Sequence, residues 1–165
     1  MTATINASTT AGVVITPDNS GNVLLQYNGQ SAPTFSAYNG SSQSLGFGFS
    51  QILFPTEEFD TNNNFASSRF TPTVAGYYLL SSAVRTNGAP GNEFSIFLNK
   101  SGSTSYKMGT TANQTGGILA STISIVAYAN GTTDYFEIWM YCGASCTAAG
   151  GQTYTWFTGC LLRGA

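Results

Sequence analysis

The chain has 165 residues and a formal net charge of −2, and only 7% of its residues are charged, against about 25% in ordinary soluble domains. Its five basic residues are scattered along the sequence, which argues against nucleic-acid binding through phosphate contacts. There is no histidine, the commonest general base and metal ligand, and no nucleophile or phosphate-loop motif, so we expect a non-enzymatic protein without a cofactor.

The first predicted unit is a β-prone segment over residues 1–31. Two short apolar runs, at 13–15 and 23–27, flank a stretch at 16–22 that is rich in turn-forming residues. This pattern predicts a hairpin or two short strands, followed by a linker at 28–33. A lone hairpin is barely stable in water, so we expect an arm that docks on another surface. Its docking residues would be Val13, Val14, Ile15, Val23, Leu24, Leu25 and Tyr27.

From residue 32 onward the sequence predicts one all-β domain that ends at residue 165. Short β-prone runs alternate with Asn-Gly, Ser-Gly and Gly-Gly turns, and no segment has helical periodicity. A spacing of roughly ten residues per strand is typical of a sandwich or jelly roll. The predicted strands cover residues 34–38, 47–54, 65–70, 76–86, 93–99, 105–109, 118–128, 134–141 and 153–162.

The strand predicted over residues 134–141 is apolar on both faces. Phe136, Ile138 and Met140 share one face, while the alternate positions include Tyr135 and Trp139. A strand covered on both sides indicates a sandwich plus a further partner, such as another subunit.

Four sequence motifs occur in order between residues 32 and 165. Residues 33–37 form a Pro-x-Phe-Ser-Ala opening, and residues 70–80 are similar to Phe-x-x-Pro-x-x-Gly-x-Tyr-x-Phe. A Gly-Gly-apolar entry follows at 116–119, and 156–162 is similar to a closing Phe-Ser-Gly-Phe-Leu-Leu strand. Together these motifs resemble the globular head of the complement one-q family, which shares the tumour-necrosis-factor jelly roll. Leu80 and Cys160 stand where aromatic residues are usual. The positions that carry the resemblance are Phe35, Phe65, Phe70, Pro72, Gly76, Tyr78, Phe157 and Gly159.

The resemblance implies an antiparallel jelly-roll sandwich that assembles as a homotrimer. By the family's phase, Tyr78 and Leu80 would point into the sandwich. The alternate positions of the same strand would face sister subunits around a threefold axis, namely Tyr77, Leu79, Ser81 and Ala83. The alternative is that both faces of this strand are covered within one subunit.

The N-terminal segment carries a second resemblance. Its Ile-Asn-Ala-Ser opening at 5–8, the Asp-Asn-Ser-Gly at 18–21 and the Leu-Gln at 25–26 are similar to the start of many tailed-phage structural proteins. No signal peptide is recognisable, and no apolar stretch reaches about 18 residues. We therefore expect a virion surface protein that is assembled in the host cytoplasm and does not insert into a membrane.

Three further sets of residues are candidates for chemistry. Cys142 and Cys146 are expected to be buried or loop thiols, with a disulfide that staples a loop as the alternative. The acidic run Glu57, Glu58 and Asp60 is expected to be a solvated loop. The alternative is a calcium site formed with the amide oxygens of Asn62, Asn63 and Asn64. Five late aromatic residues are expected to be core and interface residues, with stacking on sugars as the alternative. These are Tyr135, Trp139, Tyr141, Tyr154 and Trp156.

Two functions fit these expectations best. The first is a trimeric capsid decoration (cement) protein whose arm docks on the major capsid protein or another virion protein. The second is a tail-fibre or receptor-binding tip that presents the loops at 39–44, 87–92 and 143–151 to a host surface glycan or protein. A secreted cytokine-like or lectin-like module is a third possibility. The copy number per particle separates the first two.

Overall fold

A computed structural model describes residues 32–88, 92–113 and 118–165, together with five short strands between residues 3 and 31. The chain divides into two units, Met1–Ala32 and Pro33–Ala165. Throughout these described parts the regular structure is β-strand, and no helix could cross a membrane.

The N-terminal unit contains the strands β1 (Ala3–Ser8), β2 (Gly12–Thr16), β3 (Val23–Leu24), β4 (Gln26–Tyr27) and β5 (Gln30–Ser31). β1 lies between its two partners, antiparallel to β2 and parallel to β3. Of the two predicted alternatives, a hairpin or two short strands, the structure has separate short strands, because the unpredicted strand β1 lies between β2 and β3. The predicted linker at 28–33 contains β5, which pairs with β4. Leu25 and the turn at 17–22 lie outside the described residues.

The second unit, the head, contains thirteen further strands in the described parts of the chain. They are β6 (Thr34–Tyr38), β7 (Gln43–Leu45), β8 (Gly48–Gln51), β9 (Thr56–Asp60), β10 (Phe65–Ala66), β11 (Arg69–Phe70), β12 (Gly76–Gly88), β13 (Glu93–Lys100), β14 (Ser103–Asn113), β15 (Ile118–Ala129), β16 (Phe136–Cys142), β17 (Cys146–Ala148) and β18 (Thr155–Gly164).

These strands form two antiparallel sheets. In the first sheet β9, β6, β18 and β12 lie side by side, and β15 pairs with the other edge of β12. β17 pairs with the last residues of β12, and β7 pairs with β17. The second sheet has the order β10-β11-β16-β13-β14, with β8 beside β16. The prediction of an all-β antiparallel sandwich is confirmed.

The strand predictions differ from the structure where the chain bends or carries charge. The strand predicted over 47–54 is shorter than expected and forms β8, while β7 before it was not predicted. The one predicted over 65–70 is a tight hairpin whose turn places Ser67 and Ser68 at φ of 51° and 62°. The strands β9 and β17 were not predicted, because one is acidic and the other has three residues.

The core lies between the two sheets and is rich in aromatic residues. The Phe35 ring stacks on Phe65 at 4.8 Å and on Phe70 at 4.3 Å, and it meets Phe157 edge-on at 4.9 Å between centroids. All eight positions that carried the family resemblance are buried. At Gly159 a Cβ atom would lie 2.7 Å from the Phe35 ring, so this strand position accepts no side chain. The head therefore closes around one aromatic cluster.

The Tyr78 hydroxyl is satisfied inside this core. It donates a hydrogen bond to the Val74 carbonyl at 2.7 Å, and burial raises its pKa. Tyr78 also meets Phe70 edge-on, with 5.4 Å between centroids. A buried phenol with a fixed acceptor anchors the start of β12 to the loop before it.

The second face of β16 is covered in part by the same chain. Glu137 is buried, and its carboxylate accepts hydrogen bonds from the Arg69 guanidinium at 2.7 Å and from Trp139 Nε1 at 3.0 Å. The Arg69 guanidinium also lies 3.8 Å from the centre of the Tyr135 ring. This face is thus covered within the chain at Tyr135 and Glu137, and a further partner for the rest of the face stays a prediction.

Replacing Arg69 with alanine should lower the free energy of unfolding by about 1–3 kcal/mol, because it leaves the buried Glu137 carboxylate without its cation. Urea denaturation followed by tryptophan fluorescence measures the change. Lys107→Ala is the control, since that cation is exposed on β14, lies 5.5 Å from the centre of the Tyr106 ring and has no ion pair among the described residues. Equal stability of the two variants would contradict this role for Arg69.

Candidate subunit interface

The outward side of the first sheet carries an apolar surface, which we call the open face. It combines the outward side chains of three adjacent strands, β15, β12 and β18. Its members are Tyr77, Leu79, Ser81 and Ala83 on β12, Thr122, Ser124, Val126 and Tyr128 on β15, and Trp156, Thr158, Cys160 and Leu162 on β18.

Strict alternation along β12 produces this face. Tyr78, Leu80, Ser82, Val84 and Thr86 are buried in the sandwich, so the intervening side chains must point outward. Of the four predicted interface residues, Tyr77 is 43% exposed and the other three are partly exposed in line with it. The structure thus places the four on one surface, and their contact with sister subunits stays a prediction.

The neighbours of these four residues on the adjacent strands β15 and β18 were not predicted from the sequence. Leu79 lies between Val126 on β15 and Cys160 on β18, and Ser81 lies between Ser124 and Thr158. The only available signal was the two-residue alternation of β15, where every even-numbered side chain from 118 to 128 is partly or fully exposed. Pairing between strands so distant in sequence is not encoded in any local pattern.

Charged groups lie only at the rim of the open face within the described residues. The Arg163 guanidinium stands 5.9 Å from the centre of the Tyr77 ring at one end, and Arg85 covers the Tyr154 ring at the other end, 4.4 Å from its centre. On the edge strand β9, Glu58 accepts a hydrogen bond from Ser36 Oγ at 2.5 Å. The centre of the open face therefore contains no charged group that would lose its hydration when a partner covers the face.

The polar side chains at the centre of the open face already have partners. The Ser81 and Ser124 hydroxyl oxygens are 2.8 Å apart, and Thr158 Oγ1 donates to the Phe35 carbonyl at 2.7 Å. Burying a hydroxyl is costly only when it loses its hydrogen bonds. Beside these groups Val126 is 53% exposed and Leu162 is 54% exposed. The face can be covered by an apolar partner at little polar cost.

The acidic run belongs to the edge strand β9 rather than to the expected solvated loop, and the calcium alternative stays a prediction. Asp60 accepts hydrogen bonds from the backbone amides of Asn62 and Phe65, at 3.3 and 2.6 Å. Glu58 accepts hydrogen bonds from Ser36 and Gln152. Among the described residues, no three His, Cys, Asp or Glu side chains converge there. The carboxylates of Asp60 and Glu58 order the loop and the edge strand.

The five aromatic candidates for sugar stacking are divided between the two sheets. Tyr135 lies under Arg69, and Trp139 and Tyr141 belong to β16 in the second sheet. Tyr154 pairs with Arg85, and Trp156 lies on the open face. The structure does not bring these rings into one sugar-binding platform.

Two of the three predicted display loops meet at one end of the head. The Gly151 amide donates to the Asn39 carbonyl at 2.7 Å, and the Gly150 amide donates to Ser42 Oγ at 3.2 Å. Of the third loop, residues 89–91 lie outside the described residues. Beside the first loop lies a groove of about 590 Å³. It is lined by Asn39, Ser41, Ser42, Gln43, Leu53, Phe54, Pro55, Glu57, Phe65, Ser67 and Ser68.

Solved structures share this fold at low sequence identity. The globular domain of zebrafish complement 1qA is similar with a TM-score of 0.61 and 15% identity, over 81% of this chain and 99% of that one. Murine APRIL at pH 8.5 matches with a TM-score of 0.61 and 9% identity, over 80% and 100%. Eiger TNF from S. frugiperda matches with a TM-score of 0.56 and 7% identity, over 81% and 93%. No protein-family model and no curated protein matches the sequence. The predicted jelly-roll fold is confirmed.

Proposed function

We propose that this chain, with the jelly roll seen in complement 1q heads and tumour-necrosis-factor-like proteins, is a non-enzymatic homotrimeric structural module. The observation that carries the proposal is the open face, a continuous surface of Tyr, Leu, Val, Ala, Ser and Thr side chains without a central charge. Exposed apolar surfaces of this kind mark protein interfaces. Three copies would close a ring, each burying its open face against the next two.

The finer proposal is that the trimer decorates a viral capsid from outside, docked by the N-terminal arm on the major capsid protein or another virion protein. Its support is the phage-like opening of the sequence and the division of the chain into an arm and a head at residues 32 and 33. β-rich arms can bind by adding strands to an exposed sheet edge.

Deleting residues 1–31 should give a soluble trimer that no longer coats capsids. Shells lacking the protein are mixed with full-length or truncated chain, and the bound fraction is measured by co-sedimentation. Circular dichroism and sedimentation of the truncated chain establish that the head is still folded and assembled. Undiminished coating by the truncated trimer would rule out docking by the arm.

The groove beside the 39–44 loop favours a second function, a receptor-binding tip. Its lining combines hydroxyl and amide side chains with one carboxylate, Glu57, which are groups that hydrogen-bond to sugars. Quantitative mass spectrometry of purified particles separates the two functions, since hundreds of copies indicate decoration and a handful indicates a tip. A glycan-binding tip should also lose affinity on Ser41→Trp substitution, which would obstruct the groove.

A further inference from the structure

Two cysteines meet at a corner where the chain passes from one sheet to the other. β16 ends at Cys142 in the second sheet, and β17 begins at Cys146 in the first sheet. The neighbouring connection from β7 to β8 crosses at the same place, because Leu45 pairs with Cys146 and Gly48 pairs with Cys142. A covalent link between the two sulfurs would therefore tie the two sheets together.

The two sulfur atoms are already in contact. Cys142 Sγ lies 2.8 Å from Cys146 Sγ, both side chains are buried, and both are free thiols. An S–S bond of about 2.05 Å requires the two sulfurs to approach each other by roughly 0.7 Å. The third thiol, Cys160, lies on the open face, on a different strand from either of them.

One of the two cysteines lies beside an open cavity. An open cavity of about 490 Å³ has Cys146 on its wall, between the connection after β7 and the end of β12. Its lining residues are Ser44, Leu45, Gly46, Asn87, Ser145, Cys146 and Thr147. Cys142 does not line this cavity and is fully buried.

The contact also shifts the pKa values of the two thiols in opposite directions. The hydrogen bond from Cys142 lowers the pKa of Cys146, while that bond and burial raise the pKa of Cys142. Since the thiolate is the attacking species in thiol chemistry, the lowered pKa favours Cys146 as the first nucleophile. The cysteine beside the cavity and the cysteine with the lowered thiol pKa are the same residue.

We propose that Cys142 and Cys146 form a dithiol site that reacts with small organic disulfides and closes into an intrachain disulfide bond. First, the Cys146 sulfur attacks one sulfur of the reagent RSSR, so that a Cys146–SR bond forms and RS⁻ leaves with the electron pair of the broken S–S bond. Next, the Cys142 sulfur attacks Cys146 Sγ and displaces the second RS⁻. The protein loses two electrons and two protons, and the reagent is reduced to two RSH molecules.

The full-length chain is incubated with 2-hydroxyethyl disulfide, denatured, alkylated with iodoacetamide and cleaved with chymotrypsin. Cleavage after Tyr141 and Tyr154 places Cys142 and Cys146 in one peptide and Cys160 in another. We expect the first peptide to lack two hydrogen atoms and to carry no alkyl group, and Cys160 to be alkylated. The oxidised protein should melt roughly 3–8 °C above the reduced protein, because the link constrains the unfolded chain.

Three variants test the roles of the individual sulfurs, with circular dichroism to check folding. Cys160→Ser should still close the bond. Cys142→Ala, or Cys142→Ser if alanine prevents folding, should retain a stable mixed disulfide on Cys146. Cys146→Ala should form no adduct at Cys142. Alkylation of both Cys142 and Cys146 after oxidation, or a bond that includes Cys160, would overturn the proposal.

Discussion

Replacing Leu79 with aspartate is expected to convert the trimer into a folded monomer. Leu79 lies near the middle of the open face, between Val126 and Cys160. In the proposed trimer the substitution would bury an unpaired carboxylate in every subunit, each at a cost of about 3–5 kcal/mol. The side chain points away from the sandwich, so the fold itself should persist. Sedimentation equilibrium measures the mass, and circular dichroism measures the fold.

Leu53→Asp is the matched control for this substitution. Leu53 is also a partly exposed leucine, 47% accessible, but it lines the groove and lies off the open face. The same new charge there should leave the trimer intact. If the Leu79→Asp protein still sediments as a trimer, the open face is not the subunit interface. Dissociation of both variants would mean that added charge alone, without regard to position, weakens assembly.

Replacing Phe35 with alanine should have the largest effect on stability, about 3–5 kcal/mol. Its ring is fully buried and contacts Phe65, Phe70 and Phe157, so that the truncation leaves a cavity where both sheets meet. Denaturant unfolding of both proteins, at one fixed chain concentration because assembly is linked to folding, gives the difference.

Phe47→Ala provides the control for Phe35→Ala. The same atoms are removed, but Phe47 is 74% exposed and touches only the edge of Tyr141 among the rings described. We expect its stability to change by less than about 1 kcal/mol. A Phe35→Ala protein that unfolds at the same denaturant concentration as Phe47→Ala would show that the aromatic cluster is not the centre of the core.

Local pattern was enough to predict an all-β sandwich because this head is built from alternating strands, as in β12. The jelly roll itself and the glycine at 159 were implied by the resemblance of the four motifs. The strand β9 was not predicted because glutamate, as at Glu57 and Glu58, has a low β-propensity. β9 tolerates both residues because it lies at the edge of the sheet, where their side chains are exposed. β1 was missed because its threonine, asparagine and serine residues resemble a polar coil.

The candidate interface could be predicted only in part. Tyr77 and Leu79 follow from the phase of one strand, whereas Val126 and Cys160 join them through pairings across 47 and 81 residues of sequence. The cysteine pair is a similar case. Its spacing left thiol and disulfide as alternatives, and only the corner between β16 and β17 brings the sulfurs into contact.

Threefold assembly is the claim on which the proposed function depends, and the mass of the unmodified full-length protein in solution tests it most directly. Sedimentation equilibrium at micromolar concentration should give three times the 17.3 kDa mass of one chain, without dissociation on moderate dilution. A stable species at the mass of a single chain, with Leu79 and Val126 open to solvent, would contradict the account.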